Sequence, residues 1–346
     1  MSGTDTSAHA HLPPALPKAP STLTAEGAPA TGTYAGMPAH MDWQALRGAF
    51  RRSAWWQRFH HKRWHYLGLG NARCFVGMAI VDVGWTNTAF VYVFDRNSRQ
   101  LLVDASCDGI PGWTAKVSDR PLEGASSWFR FKGLDLRLQS TGERALSVSA
   151  RVGQTLDLQA VVRMQAGTQP MTAIGPIGAG GCAHATVKST AMAVQGQLQV
   201  DSQTIGLDDA CASLDYSNGL LARSTQWRWA SAHSTEVGFN LQQGYFGTQE
   251  NVLWVRGTPY RLGAAHFDFD PRQPLKPWHI QTEDGLLDLI FTPEGARQES
   301  KNLVVAASYY IQPVGTFRGT VRPYAQAPAL AVDALLGVTE DHQSKW

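Results

Sequence analysis

The chain predicts a mainly β fold of two antiparallel β units behind a short N-terminal amphipathic helix. Three observations lead there: apolar residues alternate with polar ones at period two, such runs recur about every dozen residues, and no long helical pattern interrupts them. Its 346 residues, 43% of them hydrophobic, suffice to bury a sizeable core.

Residues 1–40, rich in Ala, Pro, Thr and Gly, have no apolar stretch of the length a signal peptide needs and read as a disordered tail. Residues 41–66 read as a basic amphipathic helix. Trp43, Leu46, Phe50 and Ala54 recur at three- and four-residue steps behind Asp42 as N-cap, and Arg47, Arg51, Arg52, Arg58, Lys62 and Arg63 make it cationic. Such a helix either touches an anionic membrane surface through residues 43–63 or packs on the body with its arginines solvated.

An N-terminal β unit is expected over 67–170. Leu134, Leu136 and Leu138 alternate with Asp135, Arg137 and Gln139, and Leu156, Leu158, Ala160 and Val162 repeat the pattern one hairpin later. Further strand-like runs fall at 75–82, 88–95, 101–105, 128–132 and 145–152. Between Met164 and Cys182 glycine and proline erase the periodicity, which marks the expected seam. The second unit, 182–322, carries runs at 192–200, 227–232, 237–241, 252–256, 266–270, 279–282, 286–291 and 303–312, with Asp284-Gly285 as a hairpin turn. Residues 323–346 read as a C-terminal tail.

Composition excludes several functions. A formal net charge of +2 with 17% charged residues gives no global field for nucleic acid. Cys74, Cys107, Cys182 and Cys211 are widely spaced without a CxxC pair, which fits a reducing, cytoplasmic setting. No window has the roughly 18–20 apolar residues of a membrane span. The glycines at 175, 178, 180 and 181 lack the following helix of a phosphate loop, and His60, His61 and His65 lack the glutamate of a zinc helix. Neither a cofactor nor a metal is expected.

The densest candidate site runs from Asp215 to Trp229. At period two, Arg223, Thr225, Trp227 and Trp229 share one strand face, a wall of guanidinium, hydroxyl and indoles that is either core or the lining of a pocket for an apolar or sugar ring. A carboxyl among indoles loses solvation, so Asp215 is the candidate acid, with Arg223 as its partner or as the binder of an anionic headgroup. Glu250 is the second candidate catalytic carboxylate.

The ordered motifs Asp215-Tyr-Ser-Asn-Gly-Leu-Leu-Ala-Arg-Ser-Thr-Gln-Trp-Arg-Trp, Val237-Gly-Phe-Asn-Leu, Glu250-Asn-Val, Phe267-Asp-Phe-Asp, Pro277-Trp-His-Ile, Asp284-Gly-Leu-Leu-Asp, Arg297 and Gln312-Pro-Val-Gly-Thr-Phe-Arg-Gly resemble the bacterial family of domain of unknown function 2804. That resemblance adds Asn240, Asn251, Trp278 and Arg297 as candidate ligand-binding residues. A fainter one reaches two-domain lipocalin-like proteins, the carotenoid hydratases and tocopherol cyclases, in which an Asp-His-Ser-Trp-Gly segment precedes a Trp-x-Trp strand. Asp215, Ser217, Gly219, Trp227 and Trp229 match, while Tyr216 stands for the His and Asn218 for the Trp. This likeness implies tandem barrels and a cofactor-independent isomerisation, cyclisation or hydration started by an acid. Two other readings stay open: a carbohydrate-active β-sandwich with paired carboxylates, and a lipid-binding or membrane-docking protein without catalysis.

Overall fold

The computed structural model describes residues 15–178, 180–302 and 307–345. They form two large curled antiparallel sheets, one short α-helix and one 3-10 turn. The first sheet begins at one edge with Gln100–Asp108, Asn87–Asp95, Cys74–Asp82 and His61–Gly70. His61–Gly70 pairs with Cys211–Leu220, from which the sheet continues through Met192–Val200 and Leu156–Met164. The second sheet is built around Leu330–Lys345, which pairs with Ser224–His233 on one side and Ala307–Val321 on the other.

Period-two patterning sets which face meets which core. In Cys74–Asp82 the residues Cys74, Val76, Met78 and Ile80 fill the first sheet's interior, while Phe75, Ala79 and Val81 face the second sheet. Both faces are covered, so the run reads as continuously apolar. A separate interior of the second sheet gathers Phe239, Leu253, Trp278, Phe291 and Phe317. Between the sheets lies a third cluster with Tyr66, Phe75, Tyr92, Phe94 and Trp229. The sheets approach closely where side chains are absent: a Cβ on Gly295 of the second sheet would strike the Phe94 ring of the first.

Four boundary expectations need correction. Where a helix was expected over 41–66, the α-helix covers Ala54–His60 and the chain is already a strand at His61. Ser53 is the N-cap, its hydroxyl accepting from Trp56 N–H, whereas Asp42 accepts from Gln44 N–H in a local turn. Trp43 and Leu46 are buried, but from an irregular segment, which counterfeits helical spacing. The expected N-terminal tail contains ordered structure from residue 15, including Gly32–Ala35 paired with Met171–Pro176; its residues 1–14 lie outside the described ones. The glycine-rich stretch expected as the seam falls within one hairpin of the first sheet, Met171–Pro176 with Ala183–Lys188, and its residue 179 lies outside the described ones. The change of sheet comes instead at 221–223, between Cys211–Leu220 and Ser224–His233. Residues 330–345 of the expected C-terminal tail are the second sheet's central strand, disguised because their inward residues include Glu340, His342 and Ser344. Of the run expected at 303–312, residues 303–306 lie outside the described residues.

Candidate functional site

Facing residues of the two sheets leave a cavity of about 110 Å³ between them. The first sheet contributes Trp64, Tyr66, Phe90, Lys188 and Asp215; the second contributes Trp227, Trp229, Glu250, Gln312, Glu340 and His342. Cross-strand register explains the second wall. Trp229 pairs with Glu340, and Trp227 pairs with His342, which in turn pairs with Tyr310, so each row delivers its side chains to one face.

Lys188 organises the floor. It lies opposite Asp215 in the strand pair, and its Nζ donates to Asp215 Oδ2 at 2.6 Å and to Glu250 Oε2 at 2.9 Å. The three side chains are 6%, 14% and 4% exposed. Burial alone pulls the ammonium's pKa down, but Asp215 and Glu250 outweigh it and hold the group above its ordinary value. Burial also raises the Asp215 carboxyl, against the pull of Lys188 and with reinforcement from Glu250. One ammonium between two buried carboxylates leaves an excess negative charge in low dielectric, which a proton on Asp215 relieves.

A second polar cluster lies on the other wall. Trp227 Nε1 donates to Glu340 Oε1 at 2.9 Å, Gln312 Nε2 donates to Glu340 Oε2 at 2.9 Å, and Gln312 Oε1 accepts from the Tyr92 hydroxyl. Burial raises the Tyr66, Tyr245 and Tyr310 phenols, so they stay protonated. Gln242 Oε1 lines the cavity, is buried and has no hydrogen-bond partner among the described residues.

A family model for a domain of unknown function, DUF2804, matches residues 17–346. The chain belongs to the DUF2804 family. No curated protein sequence matches it. Among solved structures the DUF2804 chain is similar to a putative AttH from Nitrosomonas europaea, with TM-score 0.55 and 11% identity over 83% of this chain and 92% of that one. It is also similar to kievitone hydratase from Nectria haematococca, with TM-score 0.53 and 10% identity over 96% and 98%. CghA gives 0.54 and 9% over 94% and 97%. At these identities the likeness is one of fold.

The residues singled out in the DUF2804 sequence separate into three groups. Asp215, Glu250, Trp227 and Trp229 line the cavity. Asn240 and Arg297 stand behind it: Asn240 Oδ1 accepts from Trp229 Nε1 at 2.8 Å and its amide donates to Glu250, while Arg297 reaches Asp104 of the first sheet at 2.9 Å and lies over the Phe90 and Tyr310 rings. Arg223, Thr225, Asn251 and Trp278 are elsewhere. Arg223 is exposed in the crossing between the sheets and does not line the cavity, so Asp215's cation is Lys188. Thr225 shares the parity of Trp227 but sits one row beyond the cavity, on a separate cleft. Asn251 pins a loop through Gln242 N–H and Gly263 O, and Trp278 stacks on Phe269 at 3.6 Å in the second sheet's interior.

Sequence reasoning missed Lys188, Gln312, Glu340 and His342. A lysine closing the apolar run Ala183–Lys188 was the available signal for the first, and inward parity with Val338 for the last two. Among the described residues no three His, Cys, Asp or Glu side chains gather as metal ligands, and no helix is long and apolar enough to cross a membrane. His60, His61 and His65 bond instead to Leu221 O, Asn218 and Ser127.

Proposed function

We propose that the cavity binds a hydrophobic small molecule and carries out an acid-assisted, cofactor-independent isomerisation, cyclisation or hydration. The observation that carries this reading is the Asp215 carboxyl, raised by burial and held by Lys188 on the floor of a cavity walled by Trp64, Trp227 and Trp229. Asp215 protonates an electron-rich carbon or oxygen of the ligand, and the surrounding π faces stabilise the cation that forms. Loss of a neighbouring proton then gives an isomer or a cyclised product, and capture of water gives a hydrated one. Lys188 and Glu250 hold the acid in place, and Lys188 stabilises the carboxylate left after transfer. The neighbouring fold of kievitone hydratase supports the reading as analogy. Asp215 and Glu250 are both tied to one buried ammonium, an arrangement that supports the acid-assisted reading over a glycosidase.

Native mass spectrometry of the purified protein, followed by extraction of the bound molecule, supplies the ligand for a direct test. Asp215→Asn should still bind that molecule but lose its conversion; unchanged conversion would sink the proposal.

One observation favours a membrane contact in addition. Trp55 is 73% exposed and Phe59 39% exposed on the helix Ala54–His60, near Arg51, Arg52 and Arg58. Trp55→Ser with Phe59→Ser should lower co-sedimentation with anionic vesicles; unchanged co-sedimentation would exclude this helix as the anchor.

A further inference from the structure

Glu340 and His342 line the aromatic cavity, and their hydrogen bonds continue to Ser344, which lines a second opening. His342 Nδ1–H donates to Glu340 Oε1 at 3.2 Å, and the Ser344 hydroxyl donates to His342 Nε2 at 2.7 Å. The three residues alternate along the central strand of the second sheet, so their side chains leave one face in a line. Glu340 is fixed by Trp227 Nε1 and Gln312 Nε2, each at 2.9 Å. The imidazole is packed by Trp227 at 4.0 Å between ring centres and by Tyr310 at 5.2 Å. Thus the acid is oriented, the base is oriented by the acid, and the hydroxyl is within reach of the base.

Ser344 does not line the aromatic cavity. It lines a cleft at the far end of the sheet with Thr225, Ser308 and Lys301. Register places these residues in one row across four neighbouring strands: Thr225 opposite Ser344, Ser344 opposite Ser308, and Ser308 opposite Lys301. The Ser308 hydroxyl is 3.5 Å from Ser344 Oγ and 3.4 Å from His342 Nε2.

We propose that Glu340, His342 and Ser344 form a second site, an acyl-transfer triad whose serine opens onto this cleft and takes small uncharged carboxylic esters. Ser344 Oγ forms the bond to the carbonyl carbon while its proton passes to His342 Nε2, and Glu340 steadies the imidazolium. The carbon–oxygen bond to the leaving alcohol then breaks as His342 returns the proton to the departing oxygen. Water repeats both transfers, regenerates the Ser344 hydroxyl and releases the carboxylic acid. The Ser308 hydroxyl is the donor nearest to Ser344 for a developing oxyanion, while the Lys301 ammonium in the same row is ion-paired to Glu299 at 2.7 Å and to Asp108 at 3.1 Å. The proposal does not use Asp215 or the ligand assigned to it, although Glu340 and His342 also line the aromatic cavity.

A fluorophosphonate probe tests it on the full-length protein, with the labelled peptide mapped by mass spectrometry and heat-denatured protein as background. Labelling is expected at Ser344, absent in Ser344→Ala and at least tenfold slower in folded His342→Gln, with a matching loss of p-nitrophenyl acetate hydrolysis. Labelling at background level, labelling mapped to another residue, or labelling at Ser344 that is indifferent to His342→Gln would each overturn it. The mapping uses the native chain, so it remains decisive if a variant fails to fold.

Discussion

Replacing Lys188 with methionine would remove the ammonium and keep most of the side-chain volume. Asp215 and Glu250, now held at 2.6 and 2.9 Å from Nζ, would face each other without a cation in a site where the three side chains are at most 14% exposed. Removing one partner of a buried ionic group costs about 3–5 kcal/mol, because the remaining charge stays desolvated. The cost should depend on pH. Asp215's folded pKa is already raised, so its contribution to stability is fully present below the unfolded value near 4 and is lost as pH rises through the folded value. Loss of Lys188 pushes that folded value higher and steepens the decline. Lys188's own raised pKa has the same sign, with its contribution present below about 10 and lost only as pH rises through the folded value above that. Urea unfolding at pH 5 and pH 8 should therefore show Lys188→Met destabilised by about 3–5 kcal/mol at pH 8. At pH 5 the difference should shrink to about 2 kcal/mol, the scale of the lost charged hydrogen bonds. A difference below about 1 kcal/mol at both pH values would refute the argument that this ammonium neutralises the buried pair.

Three other perturbations test the architecture. In Gly77→Ala the new methyl meets the fully buried Tyr92 ring, so it should cost about 1–3 kcal/mol of stability by urea unfolding and disturb the Tyr92–Gln312 contact. Truncation after Val321 removes the strand Leu330–Lys345 from between two partners, and circular dichroism and solubility should show loss of the native sheet, not a trimmed tail. Arg297→Met leaves Asp104 without its cation and Glu299 with Lys301 alone, and the two carboxylates are 36% and 24% exposed, so thermal unfolding should show a loss of about 1–3 kcal/mol, smaller than that of Lys188→Met.

The β class was legible because inward residues such as Leu134, Leu136 and Leu138 alternate with solvated ones. Where both faces of a strand are covered, or where the inward face is polar, that signal fails. His61–Gly70 continues without a break from the helix Ala54–His60, and Trp43 and Leu46 bury themselves from an irregular segment, so a local period of three to four described burial without describing a helix. The strand ending in Glu340, His342 and Ser344 reads as a solvated tail because its inward residues satisfy one another. Three residues of the cavity, Asp215, Trp227 and Trp229, were visible in the run from Asp215 to Trp229, since tryptophans at period two must share a face. Lys188 was not, because its pairing with Asp215 spans 27 residues of sequence and depends on the register of two strands. Arg223 looked like the natural partner through proximity in sequence, yet the chain crosses between sheets at that point and carries it away.

A proton delivered by Asp215 to a ligand in the aromatic cavity, as proposed, is recorded by conversion of the extracted ligand in deuterium oxide. The product made by the native protein should carry one non-exchangeable deuterium, at a carbon protonated in the reaction, and Asp215→Asn should bind the ligand without forming that product. Product that forms equally well with Asp215→Asn, or that carries no such deuterium where a carbon must gain hydrogen, would contradict the account.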